Sequence, residues 1–231
     1  MLLGLNTCGS TASVALGLAA ADNIKILSTA SLAVRTYSAR LIPEIVAMLE
    51  SRHATLRDVE AIVVVNGPGS FTGIRVGLST AKGLAEGAGI PLIAVSRLAL
   101  LAGSSGLPHV LAAIDAGRGE YYVGEYQNGQ NLGEVLLSGE ETVAAAKQPG
   151  AGVLVCDESV AGDASAASSA CAALAICGPV YVQPADAAEA LRFALGRFSA
   201  GKFDDVETLQ ANYLRRSDAE VFRAARAGVA T

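Results

Sequence analysis

Apolar and polar positions change period several times along the chain, and each change marks an element. Residues 61–65, Ala-Ile-Val-Val-Val, form an unbroken apolar run that predicts a strand covered on both faces. Gly67-Pro68-Gly69 ends that run: Pro68 has no N–H for a sheet, and the glycines reach backbone angles closed to other residues. Ser70 or Thr72 can cap a helix beginning there. From Ile74 the spacing becomes helical, with Ile74, Leu78, Ala81 and Ala85 on one side and Arg75 and Lys82 on another. On shape alone this is a tight strand-to-helix turn. It lacks the Lys of a Walker A loop, and its third glycine comes one residue late for a dinucleotide fingerprint.

The rest of the chain alternates in the same way. Residues 1–5 and 13–18 are apolar around Asn6-Thr7-Cys8-Gly9-Ser10-Thr11, which predicts a hairpin with a polar turn, and 24–33 continues as a third strand. Leu41, Ile42, Ile45, Val46 and Leu49 make one helical stripe, read as core, and Pro43 places the helix start close to Arg40 or kinks it. A short turn is expected at 56–59. Gly87-Ala88-Gly89 ends the central helix, 92–95 is a short buried strand, and Ser96 can cap a helix running to Leu101. The Gly- and Ser-rich loop at 103–108 divides the chain into two expected lobes, 1–103 and 104–231.

In the second lobe, 110–114 and 121–126 predict two strands around Asp115-Ala116-Gly117-Arg118-Gly119-Glu120. Asp115, Arg118 and Glu120 read there as an ion-paired turn in preference to an acid–base cluster. Residues 135–137, 153–156 and 180–182 predict further strands. Ser138 to Glu141 has capping-box spacing for a helix to Lys147, and Asp186 to Glu189 opens a helix with Leu191, Leu195 and Phe198 on its apolar face. The small-residue stretch 161–175 fits a helix or a mobile loop, and the Ala- and Arg-rich tail after Ser217 fits a frayed helix.

Composition narrows the function classes. The 231 residues suit one large domain or two small lobes, and 52% hydrophobic content is enough to build real cores. No apolar run is long enough to cross a bilayer, and the first residues lack a basic n-region, so a cytoplasmic chain with reduced thiols at its four cysteines is expected. A net charge of −5 argues against strong solitary binding to RNA, which rests on neutralising phosphates. His53 and His109 are far apart and not at helical spacing, so no metal site is expected, and no Ser-His-Asp pattern can be placed.

The string Gly67-Pro68-Gly69-Ser70-Phe71-Thr72-Gly73-Ile74-Arg75-Val76-Gly77 resembles the signature of the bacterial TsaB (YeaZ) family. That family is the dimerisation subunit of the complex that makes N6-threonylcarbamoyladenosine on tRNA. Asn6-Thr7-Cys8 resembles the family's Asp-Thr-Ser, with an amide where a carboxylate usually stands. Asp115-Ala116-Gly117-Arg118 and Asn212-Tyr213-Leu214-Arg215 partly match two further family elements, Asp-Ala-Arg and Pro-x-Tyr-Leu-Arg. The resemblance is good over the first lobe, moderate at the start of the second and poor in its middle.

The resemblance implies an α/β fold of the actin-like, sugar-kinase and Hsp70 class (ASKHA, ribonuclease H-like), with two similar lobes of mixed sheets flanked by helices. It implies a non-catalytic subunit with no cofactor, pairing with the catalytic paralogue TsaD, helping to recruit the ATPase TsaE, and meeting tRNA only through the complex. A homodimer is expected when the paralogue is absent. The partner surface it implies comprises Tyr37, Leu41, Ile45, Gly69, Ser70, Phe71, Gly73, Arg75, Gly77, Leu78 and Lys82. The competing reading of the same glycines is that they let the central helix pack on its own sheet. The alternative function is an autonomous ATP-binding enzyme of the kinase or ATPase type on the same fold.

Overall fold

The computed structural model describes residues 1–20, 22–33, 37–157 and 174–215. Its first sheet contains β1 (Leu2–Asn6), β2 (Thr11–Ala19), β3 (Ile24–Ala33), β4 (Ala61–Val65) and β5 (Leu92–Val95), in the order β3-β2-β1-β4-β5. β1 runs antiparallel to β2 and parallel to β4, which explains their sequences: both are central, and every residue of each is buried. β3 is an edge strand, and its polar and apolar residues are mixed accordingly.

The second sheet contains β6 (His109–Gly117), β7 (Glu120–Gln127), β8 (Gln130–Ser138), β9 (Val153–Asp157) and β10 (Val180–Val182), in the order β10-β9-β6-β7-β8. Three antiparallel strands are again followed by a helix and two parallel strands, so the second half repeats the path of the first. β8 begins five residues before the expected 135–137. The missed signal is the Asn128-Gly129 dipeptide, in which both residues have positive φ (50° and 77°) and fold a two-residue hairpin turn. The preceding hairpin is equally tight: Arg118 and Gly119 alone turn the chain, at φ 61° and 77°.

Helices α1 (Tyr37–Glu50) and α2 (Phe71–Ala88) share one face of the first sheet, where Leu41, Ile45, Met48, Leu49, Leu78, Ala81 and Ala85 meet Leu3, Leu5, Ile62 and Val64. α1 begins before Arg40, so Pro43 lies inside it, and its missing N–H deprives the Ala39 carbonyl of a helical donor. Gly89, at φ 67°, ends α2 in the left-handed conformation. α4 (Gly139–Ala146) starts with the expected capping box of Ser138 and Glu141.

Two further α-helices among the described residues cross between the halves. α3 (Arg97–Ser104) follows the first sheet but packs Leu98, Leu101 and Ala102 on the second, against Val110, Ile114 and Val155. α5 (Ala187–Ser199) follows the second sheet but packs Ala187, Ala190, Leu191 and Ala194 on the first, against Leu2, Val63 and Ile93. Gly4 makes that approach close: a Cβ there would stand 2.7 Å from the Ala187 carbonyl oxygen. A division at 103/104 therefore separates the strands of the two sheets but not their packing. The stretch 161–175 lies outside the described residues up to 173, as does the tail from 216. Among the described residues no helix is long and apolar enough to cross a membrane.

Candidate functional site

Two turns of the first lobe interlock where it faces the second. Gly67 and Gly69 take φ of 118° and 154°, and the bend brings the Ser70 N–H to the Cys8 carbonyl at 2.9 Å. Ser70, and not Thr72, caps α2: its hydroxyl accepts from the Gly73 N–H at 3.2 Å. The N–H groups of Ser70 and Gly73 are thus used within the chain, as a tight strand-to-helix turn requires. The Thr7 hydroxyl donates to the Gly73 carbonyl at 2.6 Å. A Cβ on Gly73 would lie 2.0 Å from the Thr7 carbonyl oxygen, and one on Gly77 2.2 Å from the Thr7 hydroxyl. These glycines let α2 rest on the β1–β2 turn.

The polar residues of that turn are occupied. Asn6 is 3% exposed; its amide donates to the Ala185 carbonyl at 2.8 Å, and its oxygen accepts from the Cys8 N–H. The Cys8 thiol lies against the Val65 carbonyl at 3.1 Å. Burial pushes that thiol up to about 12, with the nearby Arg97 opposing the shift only in part. A thiol so protonated is no nucleophile at neutral pH.

Between the lobes lies a cleft of about 1010 Å³. Its walls are the two interlocked turns, Arg97, the end of β6 with the β6–β7 turn, and residues 212–215. Arg97 reaches across from α3 to the buried Asp157 at 2.9 Å. The Asp115 carboxylate accepts from the Gly117 N–H at 2.7 Å, and Glu120 pairs with Arg215. Of the three residues expected to form an ion-paired turn here, Glu120 is ion-paired, and its cation is Arg215 and not Arg118. Among the described residues, no three His, Cys, Asp or Glu side chains converge as a metal-binding group.

The outer face of α1 and α2 is built differently from the expected partner surface. Leu41 (1% exposed), Ile45 (2%) and Leu78 (8%) are core residues of the lobe, and Gly73 and Gly77 are buried on the inner face of α2. The five-residue stripe on α1 is too wide for one face. A step of about 100° per residue carries Ile42 and Val46 around the helix, where they form a second, outward stripe, 44% and 45% exposed. Gly69 lies partly buried in the turn, and the side chain of Tyr37 lies outside the described ones.

Phe71 is exposed at the start of α2. The Arg75 guanidinium stacks 3.7 Å above its ring, and Tyr213 lies 5.1 Å away, centroid to centroid. Arg75 also donates to the Tyr213 hydroxyl at 3.0 Å. Lys82 is committed to the carbonyls of Glu207 and Leu209, at 3.3 and 3.1 Å. Tyr213 joins this surface from a position the periodicity could not connect to it; only its place in Asn212-Tyr213-Leu214-Arg215 marked it.

Two repeated lobes of order 3-2-1-4-5, joined across a cleft, define the actin-like, ribonuclease H-like class. The family model described as "TsaD: tRNA N6-adenosine threonylcarbamoyltransferase" matches residues 11–177. The chain is 38% identical to the "tRNA threonylcarbamoyladenosine biosynthesis protein TsaB" of Escherichia coli over 150 residues, which are 63% of this chain and 62% of that one. The TsaB of the same description from Bacillus subtilis is 36% identical over 115 residues, 48% of this chain and 49% of that one. The solved structure of YeaZ from Pseudomonas aeruginosa superposes with a TM-score of 0.69 at 27% identity, covering 92% of this chain and 99% of that one. The chain belongs to this threonylcarbamoyltransferase family, on its TsaB (YeaZ) branch. The matches span about half to 62% of the length of these two curated relatives.

Proposed function

We propose that this chain is a non-catalytic subunit in the biosynthesis of N6-threonylcarbamoyladenosine on tRNA, the process for which its relatives are named. It pairs with the catalytic paralogue TsaD through the outer face of its first lobe, and the pair recruits the ATPase TsaE and meets tRNA in the cytoplasm. The observation that carries the reading is that outer face. Ile42, Val46 and Phe71 are large apolar side chains left in solvent on two helices that share one side of a sheet, and Arg75 stacks on Phe71. Such a combination of apolar anchors and an arginine suits an interface core. The local chemistry of the β1–β2 turn points the same way: Asn6 and Cys8 spend their polar atoms on the fold.

The role is a population shift. Pairing stabilises the competent arrangement of the catalytic subunit to the extent that this chain binds that arrangement more tightly than others. When the paralogue is absent, the same face supports a homodimer. Pairing with purified TsaD, measured by calorimetry, tests the surface. Val46→Glu places a charge in the outward stripe without touching the core. It should weaken binding by about 2 kcal/mol, roughly 30-fold, as loss of an interface anchor does. Unchanged affinity in Val46→Glu and in Ile42→Glu would move the interface elsewhere.

A further inference from the structure

Residues 204–215 have no regular secondary structure beyond one bridge, yet they are fastened along their whole length and to both lobes. The segment starts on the first sheet. The Asp204 N–H donates to the Leu92 carbonyl at 2.8 Å, and the Asp204 carboxylate accepts from the Ala94 N–H at 2.6 Å and from Arg197 at 3.0 Å. Lys82 of α2 then holds the carbonyls of Glu207 and Leu209. At the Gly67 turn, Asn66 and the chain exchange bonds. The Asn66 amide donates to the Gln210 carbonyl at 3.3 Å, and the Asn212 N–H donates to the Asn66 carbonyl at 2.8 Å. Only a glycine fits beneath this crossing, because a Cβ on Gly67 would lie 2.8 Å from the Asn212 carbonyl oxygen.

Beyond Asn212 the same strand of chain is fastened to the second lobe. The Asn212 side chain donates to Glu134 of β8 at 2.5 Å, and Arg215 pairs with Glu120 at the start of β7. Glu134 is itself a junction: it accepts from Ser96 at the start of α3 and from Tyr126 of β7. Burial and this carboxylate together push the Tyr126 hydroxyl above its ordinary range, which keeps it a donor. The apolar side chains divide likewise: Val206, Leu209 and Ala211 pack on the first lobe's core, and Leu214 on the second's.

We infer that residues 204–215 are a clasp that fixes the angle between the two lobes and so sets the width of the cleft, of which residues 212–215 form one wall. Twelve irregular residues alone would gain little from ordering. Polar bonds at each end and apolar anchors between them offset the entropy of holding this segment. The lobes remain joined by the chain itself and by the crossed helices α3 and α5, so releasing the clasp frees a hinge without unfolding either sheet.

The test is a distance measurement between spin labels on exposed positions of the two lobes, Glu86→Cys on α2 and Lys147→Cys after α4, in a chain whose Cys171 and Cys177 are replaced by serine. The intact chain should give one narrow distance distribution. Asn212→Ala combined with Arg215→Ala releases the second-lobe end, and Glu134 keeps its bonds to Ser96 and Tyr126. The distribution should then broaden about twofold, as a freed hinge does. If the double variant does not fold, Arg215→Ala alone, which breaks the second-lobe ion pair with Glu120 without touching either core, carries the same expectation. A folded variant whose distribution matches that of the intact chain would overturn the clasp.

Discussion

The closest backbone approach in the first lobe makes a prediction in which one substitution has opposite signs at two places on one helix. Gly73 and Gly83 both lie in α2. Gly→Ala in a helix interior ordinarily stabilises by up to about 1 kcal/mol, through propensity. At Gly83 nothing lies within 4 Å of an added Cβ, so Gly83→Ala should show that gain in full. At Gly73 the added Cβ would stand 2.0 Å from the Thr7 carbonyl oxygen, a backbone atom in a buried turn that cannot swing aside. α2 must lift off the turn. Overpacking of this kind costs about 1–3 kcal/mol. The bond from the Thr7 hydroxyl to the Gly73 carbonyl is lost with it, for about another 1 kcal/mol. Less the propensity gain, Gly73→Ala should destabilise by about 1–3 kcal/mol, which lowers Tm by roughly 2–12 °C in a chain of this size. Urea unfolding reads both variants, with midpoints moving in opposite directions at constant slope. If Gly73→Ala were as benign as Gly83→Ala, α2 would not be seated on the β1–β2 turn.

Two further predictions concern that turn. Cys8, raised to about 12 by burial, should resist iodoacetamide in the folded chain at about pH 8, where an ordinary thiol reacts, while the partly exposed Cys177 is alkylated; mass spectrometry reads both. The same shift removes stability as pH rises from the ordinary thiol range through 12, because the unfolded thiol ionises first. Asn6→Asp turns a donor to the Ala185 carbonyl into a buried carboxylate facing that oxygen, and should cost about 2–3 kcal/mol at neutral pH. Burial raises the introduced carboxyl's pKa, so the loss should shrink as pH falls and the group protonates. Urea midpoints at about pH 4.5 and about pH 8 should differ in that direction, and equal losses at both would contradict it.

Much of the fold could be read in the sequence because its signals are local. The buried run 61–65, the Ser70, Ser96, Ser138 and Asp186 caps and the left-handed Gly89 all lie where the pattern places them. What escaped was non-local or two-sided. The crossing of α3 and α5 between sheets depends on strand order, which periodicity does not carry. On α1, adjacent apolar pairs such as Leu41-Ile42 and Ile45-Val46 look like one wide stripe, and only the packed sheet shows which member of each pair is covered. Tyr213 reaches Phe71 and Arg75 across 138 residues of sequence from Arg75, and no spacing rule links them. The glycines in the Gly67-to-Gly77 signature are explained largely from within: Gly67, Gly69, Gly73 and Gly77 each make room for a close neighbour in the same chain.

Reconstitution of tRNA modification tests the proposed role most directly. Purified TsaD, TsaE, tRNA and the enzyme that supplies the threonylcarbamoyl-adenylate would be assayed with this chain, with Val46→Glu, and without either. A non-catalytic partner subunit should give N6-threonylcarbamoyladenosine only when the intact chain is present, reduced product with Val46→Glu, and neither modification nor ATP hydrolysis by the chain alone. Equal product with the chain omitted, or ATP turnover by the isolated chain, would contradict that role.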